Sequence, residues 1–473
     1  MKKRIALSLA LLAGLAMGAT TANAADIKAT GSWQVDAVFS GNTFFDGAPT
    51  NQKTVGIDQR IRTAFQFIAN ENLKGVLEVQ YGTGAWGGSE GLALGNNGGG
   101  VGGATSSDNA LHLRKAYIDF NWPGTKNRFL VGHQSLSLPS SFGGGSAILD
   151  HHMSAAAAIV PITDSISLVG GYTRPFDAND DGTTTTRNFH GTSTDAVFLF
   201  SNMKFSGFSV NPFVAYMNAG ANTGGSGVGA TAAVPGLDAP GGGSDNGVRA
   251  YWAGTSFNVT VLDPFKIRGD INYGKATYDV GSNTDSGRSG WLADLAVEYT
   301  GLSMMTPEAF FVYSSGEDGT AGKSERMPVL RTQNWGVGSF WMQGGSSTIS
   351  RNNSAERSLG FWAAGLSLKD IKLIDKLSHT FNVIYFKGTN DKDIVLNGGL
   401  SASGNYGRML TEKDSLIEVD LNSKYKIYEE LSLGLELGYI FADYDKNVWA
   451  AAGSSDVIDQ NAYKAAFMLN YSF

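Results

Sequence analysis

Two adjacent imidazoles, His151 and His152, are the nearest this chain comes to a metal-ligand pair, and Asp150 precedes them. Successive side chains of an extended segment point to opposite sides, so the pair diverges and does not converge on one ion. A solvated pair, or one facing an aqueous interior, is the expectation. His112 and His133 lie in strand-like segments with no Ser or carboxylate partner readable nearby. The run from Gly316 to Ser324, GEDGTAGKS, misses the phosphate-loop spacing by one residue, because the leading glycine would have to stand where Glu317 is. Asp177, Asn179, Asp181 and Gly182 match the first half of a calcium loop, but Asn188 occupies the position of the closing bidentate glutamate. At most a weak calcium site is expected there, and a solvated polar turn explains it as well. Cysteine is absent, which removes thiolate metal sites, disulfides, thiol catalysis and a lipoprotein anchor together. No enzyme, metal or cofactor follows from these residues.

A second set of charges has a different spacing. Arg60 and Arg62, Lys115 and Asp119, Lys266, Arg268 and Asp270, Asp294 and Glu298, Glu418 and Asp420, Glu436, and Lys464 all occupy the polar positions of alternating segments. Phe265, Ile267, Gly269, Ile271 and Tyr273, for example, alternate with Lys266, Arg268, Asp270 and Asn272. Charge on three consecutive inward positions excludes a dry interior. On the lipid side of a membrane strand, each Arg or Lys would cost roughly 2–4 kcal/mol at mid-depth, so the polar faces are expected to line water.

The elements that must carry these charges are strands. Runs with period-two alternation fall near 27–39, 55–69, 73–82, 111–122, 127–135, 153–162, 165–175, 193–204, 207–218, 248–260, 264–279, 288–300, 306–314, 357–369, 377–388, 414–428, 430–444 and 460–473. That is about eighteen, or sixteen if the runs holding Pro161 and Pro307 do not pair. Short polar turns and long glycine-rich loops alternate along the list, which sorts the loops to one side. A soluble sandwich has no reason to do this, whereas an all-β transmembrane antiparallel up-and-down barrel with long extracellular loops and short periplasmic turns does. Tyr and Trp collect near strand ends, as interfacial girdles would.

Both chain ends fit the same address. Lys2, Lys3 and Arg4 precede an apolar run, and Ala22-Asn23-Ala24 reads as a cleavage site, so residues 1–24 are expected to be a signal peptide and 25–473 the barrel domain. The last strand, NAYKAAFMLNYSF, ends on an aromatic residue, with Tyr471 and Phe473 as the signal read by the barrel-insertion machinery. The formal net charge is −7 and becomes more negative once the basic leader is gone, which argues against nucleic acid.

A barrel of this size needs something folded inward to discriminate among solutes. The segment 136–152, QSLSLPSSFGGGSAILDHH with its leading Gln134 and Ser135, is the candidate, with Asp150 and His151 at the constriction opposite Arg60, Arg62 and Lys115. An acidic loop there would set a transverse field across the opening. Loop 315–356 is the other candidate, and its Trp335, Phe340 and Trp341 could form an aromatic slide for a sugar- or organic-acid-selective channel, or instead plug or pack.

The mature chain resembles the outer-membrane homotrimeric porins of sulfate-reducing bacteria, within the general Gram-negative porin superfamily. The resemblance rests on LRKAYIDFNWPGT at 113–125, RFLVGHQSLSLPS at 128–140, VPITDSISLVGGYTRPFD at 160–177 and the terminal Tyr471-Ser472-Phe473. It implies a homotrimer of water-filled barrels in the cell outer membrane, in contact with lipid and lipopolysaccharide, passing small hydrophilic solutes and ions by passive diffusion. A membrane-embedded barrel enzyme is the remaining alternative.

Overall fold

Alternating apolar and polar side chains cannot satisfy their backbone groups one strand at a time, so each run pairs with the next. In the computed structural model the described residues are 25–43, 45, 54–85, 111–177, 193–219, 247–278, 286–319, 323–342, 359–396, 406–451 and 460–473. The leader 1–24, Asn179 and Asp181 lie outside them. The first half of the wall is β1 (Asp26–Gly41), β2 (Thr54–Asn70), β3 (Leu73–Ala85), β4 (Leu111–Asn121), β5 (Arg128–Ser137), β6 (Leu149–Pro161), β7 (Ile166–Asp177), β8 (Ser193–Phe205) and β9 (Phe208–Ala219). It continues through β10 (Val248–Val259), β11 (Phe265–Tyr278), β12 (Ser286–Tyr299) and β13 (Thr306–Ser314). Two short pieces, β14 (Lys323–Ser324) and β15 (Arg331–Thr332), lie within a loop. The wall resumes with β16 (Phe361–Ile374), β17 (Leu377–Gly388), β18 (Ser415–Lys426), β19 (Leu431–Asp443) and β20 (Ala462–Ser472). Single-turn helices α1 (Asp393–Leu396) and α2 (Lys446–Ala451) sit in the last two loops.

Each long strand pairs antiparallel with its chain neighbour, and β1 pairs with β20, so eighteen long strands among the described residues close into a barrel. At the seam the N–H of Gly31 donates to the carbonyl of Phe473 at 2.9 Å and the N–H of Phe473 returns the bond at 3.1 Å. Closure leaves no sheet edge to template aggregation. The sixteen-strand alternative falls away because both prolines sit at strand ends, Pro161 as the last residue of β6 and Pro307 as the second of β13, where a missing donor is tolerated. Two boundaries shift. β6 starts at Leu149 and not near 153, which shortens the inward-loop segment to 138–148, and β16 runs from Phe361 to Ile374 and not 357 to 369.

Outward positions carry the apolar belt: Val131, Leu199, Val214, Ile271, Leu295, Phe311, Leu366, Leu433 and Phe467 are exposed. Trp33, Trp122, Trp291, Tyr313 and Tyr471 are exposed on the same surface. An exposed apolar surface of this extent is a mark of a lipid-facing wall. Turns of two to six residues join the strands at one end, and the longer connections gather at the other. In chain order the third of these, loop 3, is 138–148 and the seventh, loop 7, is 315–360.

Candidate functional site in the lumen

Loop 3 leaves the wall at Ser137 and returns at Leu149, and its middle is pinned to β11, five strands further round the wall. Ser140 Oγ donates to Asp270 Oδ2 at 2.8 Å, the Ser141 N–H to Oδ1 at 2.9 Å and the Phe142 N–H to Oδ2 at 3.2 Å. Asp270 is held in turn by its neighbour strand, its own N–H donating to Asp294 Oδ1 at 2.9 Å. A carboxylate collecting donors from a turn is a strong anchor in a low-dielectric setting.

Loop 7 is anchored the same way. Glu418 and Asp420, both fully buried on β18, accept the N–H groups at the loop's tip: Ser339 to Glu418 Oε1 at 2.9 Å and to Asp420 Oδ2 at 3.0 Å, Phe340 to Glu418 Oε1 at 3.0 Å, Trp341 to Oε2 at 2.8 Å. Lys464 Nζ on β20 donates to the Ser339 carbonyl at 2.5 Å and to Glu436 Oε2 at 3.2 Å. Gly338 precedes this turn with φ +76°, and any Cβ there would collide with Glu418 Oε1. Glycine is therefore required twice over, for conformation and for space.

The two loops also hold each other. β15 pairs with the start of β6, Arg331 opposite Leu149 and Thr332 opposite Asp150. The N–H of Gly336 donates to the carbonyl of Gly143 at 2.9 Å, and Thr332 Oγ1 to the carbonyl of Ser146 at 2.7 Å. Asp150, expected as an open constriction charge, accepts Asn334 Nδ2 at 2.6 Å through Oδ2, and His151 Nε2 lies 2.7 Å from Gln333 Nε2. Both side chains are half-buried in the joint between the loops.

This arrangement corrects part of the sequence reading. Asp270, Asp294, Glu418, Asp420, Glu436 and Lys464 turn inward but are buried, so they anchor loops and do not line water. Trp335, Phe340 and Trp341 form no slide. Trp335 is buried against Gly143, Phe340 packs under Lys464, and Trp341 makes edge contacts with Phe361 and Phe386. Aromatic spacing in a sequence does not distinguish a surface that greets solute from one that packs a loop.

The part of the wall left open among the described residues is β2 to β4, whose inward side chains are mostly only partly buried; Asp119, expected to line water, is the exception and is buried. Arg60 Nη2 donates to Gln34 Oε1 at 2.7 Å and Arg62 Nε to Gln80 Oε1 at 2.8 Å. Lys115 Nζ pairs with Glu78 Oε2 at 2.8 Å, while Asp119 takes Arg128 at 2.7 and 2.6 Å and lies 3.5 Å from Lys74. Lys266 is exposed toward the short-turn end. Beside it, Arg268 reaches Glu308 at 2.5 Å and Glu298 at 3.3 Å, and Lys369 bonds both carboxylates.

Arg114 belongs to this wall and was missed. The β3–β4 register slips there: Val79 faces Leu113, Glu78 faces Lys115, and Arg114 is the extra residue of a bulge. Its Nη1 bonds Glu78 Oε1 at 2.8 Å and its Nη2 lies 3.0 Å from His152 Nε2. The signal was present in LHLRKAYI, where two charges interrupt the apolar alternation between Leu113 and Ala116.

Two Ser–His contacts bear on catalysis. His379 Nδ1 lies 2.7 Å from Ser423 Oγ and His133 Nδ1 3.4 Å from Ser154 Oγ. Among the described residues no carboxylate hydrogen-bonds to either imidazole, and each pair sits across two flat strands with no donor pair aimed at a reacting oxygen. No group of three or more His, Asp or Glu able to hold a metal ion occurs among the described residues.

No protein-family model matches the chain, and no curated protein matches it. Solved structures do, along almost their whole length. OpdL of Pseudomonas aeruginosa is 12% identical with a TM-score of 0.52, covering 95% of this chain and 99% of that one. OccAB1 of Acinetobacter baumannii is 12% identical with a TM-score of 0.51, covering 96% and 99%. The outer membrane protein OprD of Pseudomonas aeruginosa is 11% identical with a TM-score of 0.50, covering 96% of each chain. At such identities the likeness establishes the architecture alone: the closed eighteen-stranded barrel of this chain has the same fold as these three proteins.

Proposed function

We propose that the protein is an outer-membrane channel passing small hydrophilic solutes and ions by passive diffusion, with a preference for anions. The observation that carries this reading is the contrast between the two faces of one wall: apolar outside, and on β2 to β4 charged and partly open inside. Arg60 and Arg62 direct hydrogen bonds to neutral amides, with Asp36 beside Gln34 in the field of Arg60, and Arg114 and Lys115 share the carboxylate of Glu78, so these four cations outnumber the two carboxylates next to them. Fixed charge beside a constriction selects ions of opposite sign. Reconstitution in planar bilayers tests this. Stepwise ohmic conductance with an anion-biased reversal potential is expected; a silent membrane would leave a closed structural barrel.

The resemblance to sulfate-reducer porins supports a finer picture: residues 1–24 removed on export, Tyr471 and Phe473 read by the insertion machinery, and three barrels associated in contact with lipopolysaccharide. Native mass determination in detergent tests the trimer. The hydrolase alternative is checked by phospholipid hydrolysis lost on Ser423→Ala, and the isolated Ser–His contact supports no such activity.

A further inference from the structure

Between loop 3 and the inner wall of β8 to β11 lies a recess of about 460 Å³, within the size range of small-molecule sites. Four successive strands contribute one inward polar side chain each: Asn202, Asn211, Ser256 and Arg268. Phe200 and Phe142 add apolar surface, and Ser140 and Ser141 belong to the loop that roofs it.

The polar groups here are arranged for hydroxyls. Asn211 Nδ2 donates to Ser256 Oγ at 3.0 Å, which fixes the amide and leaves its oxygen as an acceptor. Asn202 stands opposite Ser167 in the β7–β8 ladder and lines the recess. The Nε of Arg268 is buried without a hydrogen-bond partner, so Arg268 contributes lining surface to the recess and no accessible Nε donor. The charge of Arg268 is answered by Glu308 and Glu298, and its guanidinium lies 5.7 Å from the centre of the Phe142 ring. An anion would meet those two carboxylates as well as the guanidinium, so the site offers hydrogen bonds without net attraction for charge. Amides and serine hydroxyls beside aromatic rings suit a molecule with hydroxyls on its rim and C–H bonds on its flat face.

We propose that this recess is a binding station for a neutral, multiply hydroxylated solute of mono- or disaccharide size on its way through the lumen. The proposal rests on the channel reading and adds a substrate class to it. It places the station away from the cationic β2 to β4 wall, so one barrel carries two chemically distinct inner surfaces.

The test is ion current through the full-length barrel in KCl, titrated with maltose and, separately, with a polyethylene glycol of matched hydrodynamic radius. Maltose is expected to reduce the current along a saturating curve, whereas the polymer lowers it only in proportion to bulk conductivity. The double substitution Asn202→Leu, Asn211→Leu is expected to raise the half-saturating maltose concentration about tenfold while KCl conductance persists, the scale of two lost hydrogen bonds. A maltose curve that is linear like the polymer's, or a half-saturation unmoved in the variant, overturns the station and leaves the channel intact. If the double variant fails to insert, Asn202→Ala and the wild-type comparison of maltose with polymer decide the matter. Absence of any KCl conductance in the wild type removes the channel itself, a separate result.

Discussion

Glu418 holds Trp341: the N–H of the loop residue donates to a carboxylate oxygen of β18 at 2.8 Å, and the other oxygen of the same group takes Phe340 and Ser339. One side chain thus takes three backbone donors, of which Ser339 has a second acceptor in Asp420 while Phe340 and Trp341 depend on Glu418 alone. Glu418→Ala should leave those two donors unpaired at a cost on the order of 1–3 kcal/mol each where water cannot reach them. The expected outcome is a lower unfolding temperature in detergent together with noisier open-channel current. Unaltered noise would show that loop 7 is held by its packing alone.

Gly338→Ala should reproduce that behaviour by a different route. The added methyl must displace Glu418 or the turn, and the backbone at φ +76° is strained for alanine. Because both changes break one contact, combining them with Glu418→Ala should cost much less than the sum of the singles. Full additivity in thermal melts would separate the glycine from the clamp.

Arg60→Gln with Arg62→Gln should shift the reversal potential of the channel toward cations, with a several-fold fall in the anion-to-cation permeability ratio, because both guanidinium groups face the open side of the lumen. Asp150→Lys makes the complementary measurement. Its carboxylate is committed to Asn334 in the joint between the loops, so a small change in ratio is expected beside that of the arginine pair. A dominant effect of Asp150 would restore the transverse field read from the sequence.

Gly31→Val should impair closure. A Cβ at Gly31 would lie 2.7 Å from the Phe473 ring and 2.5 Å from the Arg62 carbonyl, where β1 meets the final residue. Slower refolding into a compact, heat-modifiable band on gels is the expected result. Refolding at the wild-type rate would mean that the seam relaxes around the side chain.

The strands and their inward faces were legible because period-two alternation is a local property: Phe265 to Tyr273 states its two faces without help from the rest of the chain. Which inward charges meet water was not legible. Asp270 and Arg60 look alike in an alternating strand, and only the arrival of Ser141 from a remote loop buries one of them. Trp335 and Trp341 were misread for the same reason, since their surroundings come from Gly143 and from Phe361 and Phe386. Arg114 is the opposite case. Its inward turn needs no distant partner, and the broken alternation around it announced the bulge.

The parallel pairing of β15 with β6, and beside it the hydrogen bond from Asn334 to Asp150, join residues that stand more than 180 positions apart, 184 for that hydrogen bond. The opening is framed by a brace clamped at both ends, through Asp270 on one side and Glu418 on the other. Neither loop can swing aside without dragging its neighbour. Lineages of this barrel should therefore change the lengths of these two loops together, and a graft that imports one without the other should yield a misshapen aperture.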